Sequence, residues 1–332
     1  MKLMRYSGRH EAVRHARLGV LVGNDLVADV RAGYARYLVE SARNPKGQQI
    51  ADIYFPPYIV QFLHAGEAVW LALADAHGYL TELAETAPDA TGLNDEELFT
   101  PLADCRLYAP LRPSKLICVA GNYGTGDPLD MRKAGMPSAF IKTLSAIVGT
   151  ERDIMKPAAC QELACETELA VVIGKKCKHV SEADAYGVIA GYTILNDVTA
   201  CDIGSAERQA GHLFFGKTYD TFAPMGPWIV TRGGIPDAMD LRITTRVNGE
   251  QRQQGHTRDM LIGIPKLIAH LSQITLMPGD VIATGSPEGG ALAGAAATVK
   301  SGDVVESEIE GIGVLRNRVI DEPDDDCLNF SD

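Results

Sequence analysis

Two acidic residues, Glu166 and Glu168, run directly into an apolar stretch that ends at Gly174. If a strand begins at this pair, both side chains project to the same face, because strand side chains alternate with a period of two. Like charges on one face repel each other, so a positive group must neutralise them. Either a cation binds there, or the pair lies on a solvated face beside Lys175 and Lys176, which is the commoner arrangement of a charge run.

A third carboxylate shifts this balance towards a cation. Asp197 ends an apolar strand candidate that begins near Gly191. An aspartate between a strand and a helix is often only a helix N-cap, but it is also where an oxygen ligand would stand. Three carboxylates without a Cys/His set favour Mg²⁺, Mn²⁺ or Ca²⁺ over Zn²⁺.

A lysine could lie in the same site as the three carboxylates. Lys217 lies in the segment Phe-Gly-Lys-Thr-Tyr-Asp, which ends at Asp220. Such a lysine can bind a carboxylate substrate or stabilise an enolate. The alternative is an ordinary salt bridge to Asp220.

Two glycine-rich stretches and two histidines complete the candidates. Residues 121–126 match neither a Walker loop nor the dinucleotide fingerprint, and with residues 127–137 they are typical of a mobile lid. Residues 285–290 predict a tight turn that either holds an anion with its hydroxyl and amides or is purely structural. His212 and His256 are each isolated in the sequence, which is more typical of a structural histidine than of a base.

The elements that must position these residues are mostly strands. The first hundred residues are predicted to be a separate module with a hairpin at residues 18–29, a helix at 59–76 and a loop at 86–97. Helices are predicted at residues 201–213 and at 257–272, the latter kinked by Pro265. Because helices and strands do not alternate regularly, the pattern favours a mixed or antiparallel sheet. The strands are predicted at residues 116–120, 170–174, 188–195, 228–231, 241–247, 281–284 and 304–309.

Composition excludes several classes of protein. The 332 residues carry a net charge of −12, and six of the acids lie in the tail at residues 321–332. An acidic body does not predict a nucleic-acid surface. We expect no membrane partner, because the apolar runs are far shorter than the ~20 residues of a spanning helix. Seven cysteines without a Cys-x-x-Cys pair, and the lack of a signal-like apolar start, indicate reduced thiols and a cytoplasmic location.

Several motifs in order resemble the fumarylacetoacetate hydrolase superfamily, over about residues 116–319. The pattern Glu-x-Glu-Leu-Ala-Val-Val-Ile-Gly is matched by residues 166–174, and the Gly-Tyr … Asn-Asp … Ala stretch is similar to residues 191–200. The segment with Lys217 looks like the family's Gly-Lys-Ser-Phe-Asp, followed by Gly-Pro-Trp at residues 226–228. Further motifs follow in the family's order at residues 247–250, 276–287, 302–306 and 308–313.

The resemblance implies a fold that is α+β and mostly β, with a mixed β-roll of the family's C-terminal type at residues 111–320. A smaller N-terminal α+β module at residues 1–110 and the acidic tail at 321–332 flank it. The family is usually homodimeric, and Mg²⁺ or Mn²⁺, with Ca²⁺ as a further possibility, would be held by three carboxylates and would chelate a small 2-oxo or 1,3-dicarbonyl acid. The implied metal ligands are Glu166, Glu168 and Asp197, the catalytic residue is Lys217, and the substrate contacts are Tyr123, Lys142 and Ser286.

Departures from the family pattern bear on the reaction. Hydrolytic relatives often carry His three residues after the tyrosine of Asn-Tyr and Glu three residues further on, where this chain has Gly126 and Leu129. Hydrolytic C–C cleavage of an acylpyruvate-like acid is the family's commonest chemistry and is our first expectation. A lyase or isomerase (decarboxylase, tautomerase or dehydratase) is the alternative, because enolate stabilisation does not need the dyad. The candidate bases are Asp127, Asp130 and His256. The third hypothesis for the function of the chain is a non-catalytic binding protein.

Overall fold

The computed structural model describes residues 1–124, 136–290 and 298–323. The described part of the chain has more strand than helix, and its α-helices lie mostly in the first ninety residues. The strands are β1 Lys2–Gly8, β2 Arg17–Val22, β3 Leu26–Asp29, β4 Phe99–Pro101, β5 Cys105–Leu107, β6 Leu116–Ala120, β7 Ser138–Lys142, β8 Ile147–Val148, β9 Ile154–Lys156, β10 Leu163–Ala164, β11 Thr167–Ile173, β12 Ile189–Asn196, β13 Thr199–Ala200, β14 Ala223–Thr231, β15 Arg242–Val247, β16 Glu250–His256, β17 Val281–Ala283, β18 Thr298–Val299, β19 Val304–Ile309 and β20 Gly313–Asp321. The α-helices are α1 Val30–Glu40, α2 Gly47–Tyr54, α3 Ile59–His64, α4 Glu67–Thr86, α5 Cys201–Gln209, α6 Phe215–Thr218 and α7 Ile264–Leu271.

The N-terminal segment folds as a hairpin covered by helices. Strands β2 and β3 pair antiparallel across the turn at Gly23, whose φ of 61° suits glycine. Asp29 begins α1, because its side chain accepts a hydrogen bond from the Ala32 amide at 3.0 Å. Helices α1, α2 and α4 pack together, and Gly33 leaves room for Leu80, since a methyl group there would lie 2.5 Å from a Leu80 methyl. The predicted hairpin is therefore confirmed.

One large sheet runs through both parts of the chain. Its strand order is β4-β3-β2-β1-β14-β12-β11-β17-β6-β7, with β5 beside β1 and β8 beside β14. Strand β1 pairs antiparallel with β14, so residues of the predicted N-terminal module continue the sheet of the larger domain. Strands β11, β12 and β14 are buried along their whole length, which explains their nearly unbroken apolar sequences.

Two smaller sheets complete the structure. Strands β16-β15-β19-β20-β9 form a five-stranded sheet, and β13-β10-β18 form a three-stranded one. The five-stranded sheet packs on the large sheet through β15, β19 and β20 against β11, β12 and β14. The Trp228 indole donates to the Ile312 carbonyl at 2.7 Å and ties β14 to the loop before β20. The mixed, mostly β fold is thus confirmed.

The structure corrects two predicted helices. The helix expected at residues 59–76 is two helices, because Gly66 takes a φ of 85° between α3 and α4. The helix expected at residues 257–272 begins as α7 only at Ile264, and Pro265 lies in its first turn instead of kinking it. Proline is well suited to that position, since the first-turn amides have no helical acceptor.

No helix within the described ranges is long and apolar enough to span a bilayer. The cysteines at positions 105, 118, 160, 165 and 177 are free thiols.

Candidate active site

The acidic pair lies in the middle of the large sheet. Glu166 precedes β11 and Glu168 lies within it, between neighbours β12 and β17. Both side chains are buried, so the predicted alternative of a solvated face is wrong. The Gly285 amide donates to Glu168 Oε2 at 2.9 Å, and the Ser286 hydroxyl donates to Glu166 Oε1 at 3.3 Å. Both carboxylates therefore contact the turn that follows β17.

Asp197 joins the pair because β11 and β12 are antiparallel. Their register pairs Thr167 with Asn196, so the start of β11 lies beside the end of β12. The Asp197 amide donates to the Glu166 carbonyl at 2.8 Å. Helix α5 is capped by Ala200 without a side-chain bond, so the alternative interpretation of Asp197 as an N-cap is wrong. The topology thus brings all three sequence-predicted carboxylates to one place.

Lys217 reaches this group from α6. Its Nζ lies 2.7 Å from Glu166 Oε2 and 2.5 Å from Asp197 Oδ2, so Lys217 faces the carboxylates as predicted and its ion pairs are not the alternative salt bridge to Asp220. The short helix is fixed by Glu207, whose carboxylate accepts three backbone N–H groups at 2.8–3.0 Å. Burial would lower the pKa of Lys217, but the charges of Asp197 and Glu166 outweigh it and raise that pKa. The side chain is therefore an ammonium held between two carboxylates.

The three carboxylates are not electrostatically equivalent. Burial, followed by the charges of Asp197 and Glu166, raises the pKa of Glu168 well above its usual value. Burial also opposes ionisation of Asp197, but ion pairs with Lys142 and Lys217 outweigh it and lower the Asp197 pKa. Burial and neighbouring negative charge therefore make Glu168 the carboxylate that resists ionisation, whereas the two lysines keep Asp197 ionised.

Lys142 lies behind Asp197 and is almost fully surrounded by protein oxygens. Its Nζ is 2.7 Å from Asp197 Oδ1, an ion pair outside hydrogen-bond angles, and it donates to the carbonyls of Val198 at 3.0 Å, Phe222 at 2.7 Å and Lys217. A substrate contact for Lys142 stays a prediction. The geometry favours a residue that orients Asp197.

Lys142→Met is expected to lower the free energy of unfolding by about 3 kcal/mol or more, because it unpairs part of a buried charge and several carbonyls. Urea denaturation would measure this, with the exposed Lys300→Met as the matched control. A change below about 0.5 kcal/mol, the usual size of a surface effect, would contradict the role.

Tyr123 is held close to the cluster by its neighbour. The buried Asn122 amide donates to the carbonyls of Ile262 at 3.0 Å and Thr284 at 2.8 Å, and its oxygen accepts from the Ile262 amide at 2.9 Å. Burial, followed by the charge of Glu168, raises the pKa of Tyr123. Its hydroxyl therefore stays protonated at neutral pH and can donate a hydrogen bond.

The two histidines are described by the structure, whereas two of the candidate bases, Asp127 and Asp130, are not. His256 lies 3.3 Å from Asp240 and contacts the Arg258 guanidinium, and His212 lies 3.7 Å from Glu207 with an exposed ring. Asp127 and Asp130, with most of the predicted lid and most of the acidic tail, lie outside the described residues.

Sequence reasoning missed two residues of this region. Gln253, on β16, is buried and hydrogen-bonds to Thr167 and Pro287. Glu288 packs over Gly124, where a methyl group would lie 2.7 Å from Glu288 Oε1. A turn rich in glycine that also contained an acid was the available signal for Glu288, whereas no local pattern marks Gln253.

The donor set suits a hard divalent cation. Three buried carboxylates offer oxygen ligands. Burial and then the charges of Asp197 and Glu166 raise the pKa of Glu168, and a cation beside it would favour its ionised form. Among the described residues, no group of three His, Cys, Asp or Glu side chains has the arrangement of a metal site. The Lys217 ammonium lies between two of the carboxylates. Glu166, Glu168 and Asp197 as ligands therefore stay a prediction that the chemistry of the site supports.

A family model, curated relatives and solved structures all relate this chain to one protein family. The model of the fumarylacetoacetate (FAA) hydrolase C-terminal domain matches residues 116–320. The mitochondrial oxaloacetate tautomerase FAHD2A of Homo sapiens is 38% identical over 275 residues, which cover 81% of this chain and 82% of that protein. Among solved structures, 5-carboxymethyl-2-hydroxymuconate delta-isomerase from Mycobacterium smegmatis is 31% identical with a TM-score of 0.67, and the match covers 97% of this chain and 100% of that chain. Maleylpyruvate hydrolase from Sphingobium sp. SYK-6, solved in complex with manganese(II) ion and pyruvate, is 29% identical with a TM-score of 0.68 over the same shares.

These relatives comprise a tautomerase, an isomerase and a hydrolase, and the first and last are named for small oxo acids. The family model spans well over half of the chain and contains the strands that carry the buried carboxylates. By this match, by the shared fold and by the order of its motifs, the chain belongs to the fumarylacetoacetate hydrolase family.

Proposed function

We propose that this chain is a divalent-metal-dependent tautomerase of a small 2-oxo dicarboxylic acid such as oxaloacetate, interconverting its keto and enol forms. The observation that carries the proposal is the buried group of Glu166, Glu168, Asp197 and Lys217. Such a site can stabilise an enolate, while Gly126 and Leu129 replace the dyad that hydrolytic relatives often use. The relationship to an oxaloacetate tautomerase over 81% of the chain supports the same class of substrate.

The residues of the chain would divide the work as follows. The three carboxylates would hold the cation, which when bound polarises the 2-oxo group and balances the negative charge of the enolate. The Lys217 ammonium adds a second positive charge within the same low-dielectric site. Tyr123 and Ser286, which border the cluster, are the proposed hydrogen-bond donors to the substrate.

Tautomerisation also needs one group that moves a proton between carbon and oxygen. We assign this step to Glu288, whose carboxylate lies over Gly124 at the exposed side of the turn. The carboxylate takes the proton from one of these atoms and delivers it to the other, so it is back in its starting state after each turnover.

Hydrolytic C–C cleavage, the first expectation from the sequence, is the second candidate. Its support is the maleylpyruvate hydrolase, to which 97% of this chain aligns. Hydrolysis needs a base within ~3 Å of a water facing the substrate carbonyl, and Glu288 is the described residue that we would test first for that role.

The test gives the Mg²⁺- or Mn²⁺-loaded protein two substrates in turn, oxaloacetate and an acylpyruvate. Ultraviolet absorbance follows the decay of enol oxaloacetate, and mass spectrometry follows products from an acylpyruvate in H₂¹⁸O. We expect faster loss of the enol than in buffer, no release of CO₂ and no labelled carboxylic acid. Protein treated with a chelator is the matched control.

Label in a released carboxylic acid, without any acceleration of tautomerisation, would replace our proposal by the hydrolase. Release of CO₂ from oxaloacetate would replace it by a decarboxylase.

We further propose Mg²⁺ as the resident metal, with Mn²⁺ as a competent substitute, a cytoplasmic location and a homodimer. The manganese in the maleylpyruvate hydrolase structure supports a divalent ion. The exposed side chains of Ile141, Leu144 and Phe215, near the last strand of the large sheet, support self-association. Light scattering after gel filtration would test the dimer.

A further inference from the structure

A buried glutamine connects the two halves of the candidate site. Gln253 lies on β16, where its neighbours Gln251, Arg252 and Gln254 are exposed, yet it is only 2% exposed itself. A buried side-chain amide needs hydrogen-bond partners, and both the oxygen and the nitrogen of the Gln253 amide have them.

One end holds the strand that carries the acidic pair. Gln253 Oε1 accepts from the Thr167 amide at 3.1 Å and from the Thr245 hydroxyl at 2.7 Å. Thr167 stands between Glu166 and Glu168, so this bond holds the backbone that lies between the two acidic side chains.

The other end holds the turn that contacts those carboxylates. Gln253 Nε2 donates to the Pro287 carbonyl at 2.7 Å. The preceding residues of that turn, Gly285 and Ser286, donate to Glu168 and Glu166 respectively. One amide group therefore sets the distance between the carboxylates and the donors that orient them.

Glycines allow this close packing. A methyl group at Gly255 would lie 2.3 Å from Pro287 Cβ, and one at Gly290 would lie 2.7 Å from Glu166 Cγ and 3.2 Å from Gln253 Nε2. The turn is thus pressed between β16 and Glu166, with no room for a side chain on either side.

We propose that Gln253 is a positioning residue that sets the affinity of the site for its divalent cation, by clamping the turn at residues 285–290 onto the strand with Glu166 and Glu168. The inference rests on the proposed function, because it takes these two carboxylates as metal ligands. Groups that orient metal ligands from outside the shell typically contribute 10–100-fold to affinity, about as much as is expected here.

The first experiment measures the Kd for Mn²⁺ of the full chain by electron paramagnetic resonance. Gln253→Met keeps the volume and removes both hydrogen bonds, so the Kd is expected to rise by about 10–100-fold. Gln254→Met, on the same strand with an exposed side chain, is the matched control and should leave the Kd unchanged. A lower melting temperature in Gln253→Met with a wild-type Kd would show a purely structural residue and overturn the proposal.

A second variant keeps the test decisive if Gln253→Met does not fold. Gly255→Ala leaves Gln253 intact but pushes Pro287 away, and it should also raise the Mn²⁺ Kd. In a double-mutant cycle, Gln253→Met and Ser286→Ala should be less than additive, because the first acts partly through the second.

Wild-type protein that binds no Mn²⁺ would overturn the proposed function and this inference together. Tight Mn²⁺ binding by wild type, unchanged in Gln253→Met and Gly255→Ala, would overturn the positioning role alone.

Discussion

Lys217→Met is expected to lower kcat by about 10²-fold or more, the usual size of losing one charge that stabilises a transition state. The ammonium is buried and lies within 2.7 Å of Glu166 and 2.5 Å of Asp197. Methionine preserves the shape but leaves the cluster without its central cation. Because the loss concerns charge that develops during the reaction, KM should change less than kcat. Steady-state kinetics with oxaloacetate would measure both constants.

A matched control separates this effect from general loss of a lysine. Lys266→Met removes an exposed ammonium from α7 and should leave kcat unchanged. The metal-free Lys217→Met protein should also be less stable, and Mn²⁺ should restore more of its stability than it adds to wild type, since the cation takes over part of the lost charge. Near-normal turnover of Lys217→Met would leave the lysine a purely structural role.

Glu168→Gln is expected to weaken the binding of Mn²⁺ strongly and yet to stabilise the metal-free protein. Burial and the neighbouring charges of Asp197 and Glu166 raise the pKa of Glu168, so the folded state holds this proton more tightly than the unfolded state. The free energy of unfolding therefore falls as pH rises from the ordinary glutamate pKa of about 4.3 to the raised one. Glutamine carries no titrating proton and escapes that loss. The Kd for Mn²⁺ should rise by more than the about 10–100-fold that an outer partner costs.

The measurement is urea denaturation of metal-free protein across pH, together with Mn²⁺ titration. The advantage of Glu168→Gln over wild type should grow with pH and then level off above the raised pKa. The exposed Glu182→Gln should follow wild type throughout. A variant less stable than wild type at every pH would contradict the assigned electrostatics of the cluster.

The sequence predicts the central strands well, because their apolar residues are continuous and bounded by glycine or proline. Every strand expected from residue 116 onwards is present, although β11 begins at Thr167 and β14 at Ala223. The prediction of a single helix at residues 59–76 failed because one backbone angle decided the outcome. Apolar spacing continues across Gly66, but its positive φ ends one helix before the next begins.

Some residues of the site can be predicted from the sequence, and others cannot. Glu166 and Glu168 can be predicted to share a face from spacing alone, and antiparallel pairing of β11 with β12 adds Asp197. The functions of Lys142 and Gln253 could not be predicted from spacing, since their partners are distant in the sequence. Gln253 bonds to an amide 86 positions away, and Lys142 to a carbonyl 80 positions away.

The pairing of β1 with β14 has a practical consequence for work on the isolated catalytic domain. A fragment beginning at residue 111 would lack β1, which pairs through Lys2 with Val230 and through Leu3 with Ile229. The freed side of β14 would become an exposed sheet edge, with unpaired amides next to buried apolar residues. Such an edge is a template for pairing with another chain, so the fragment should aggregate under conditions in which the full chain stays dispersed.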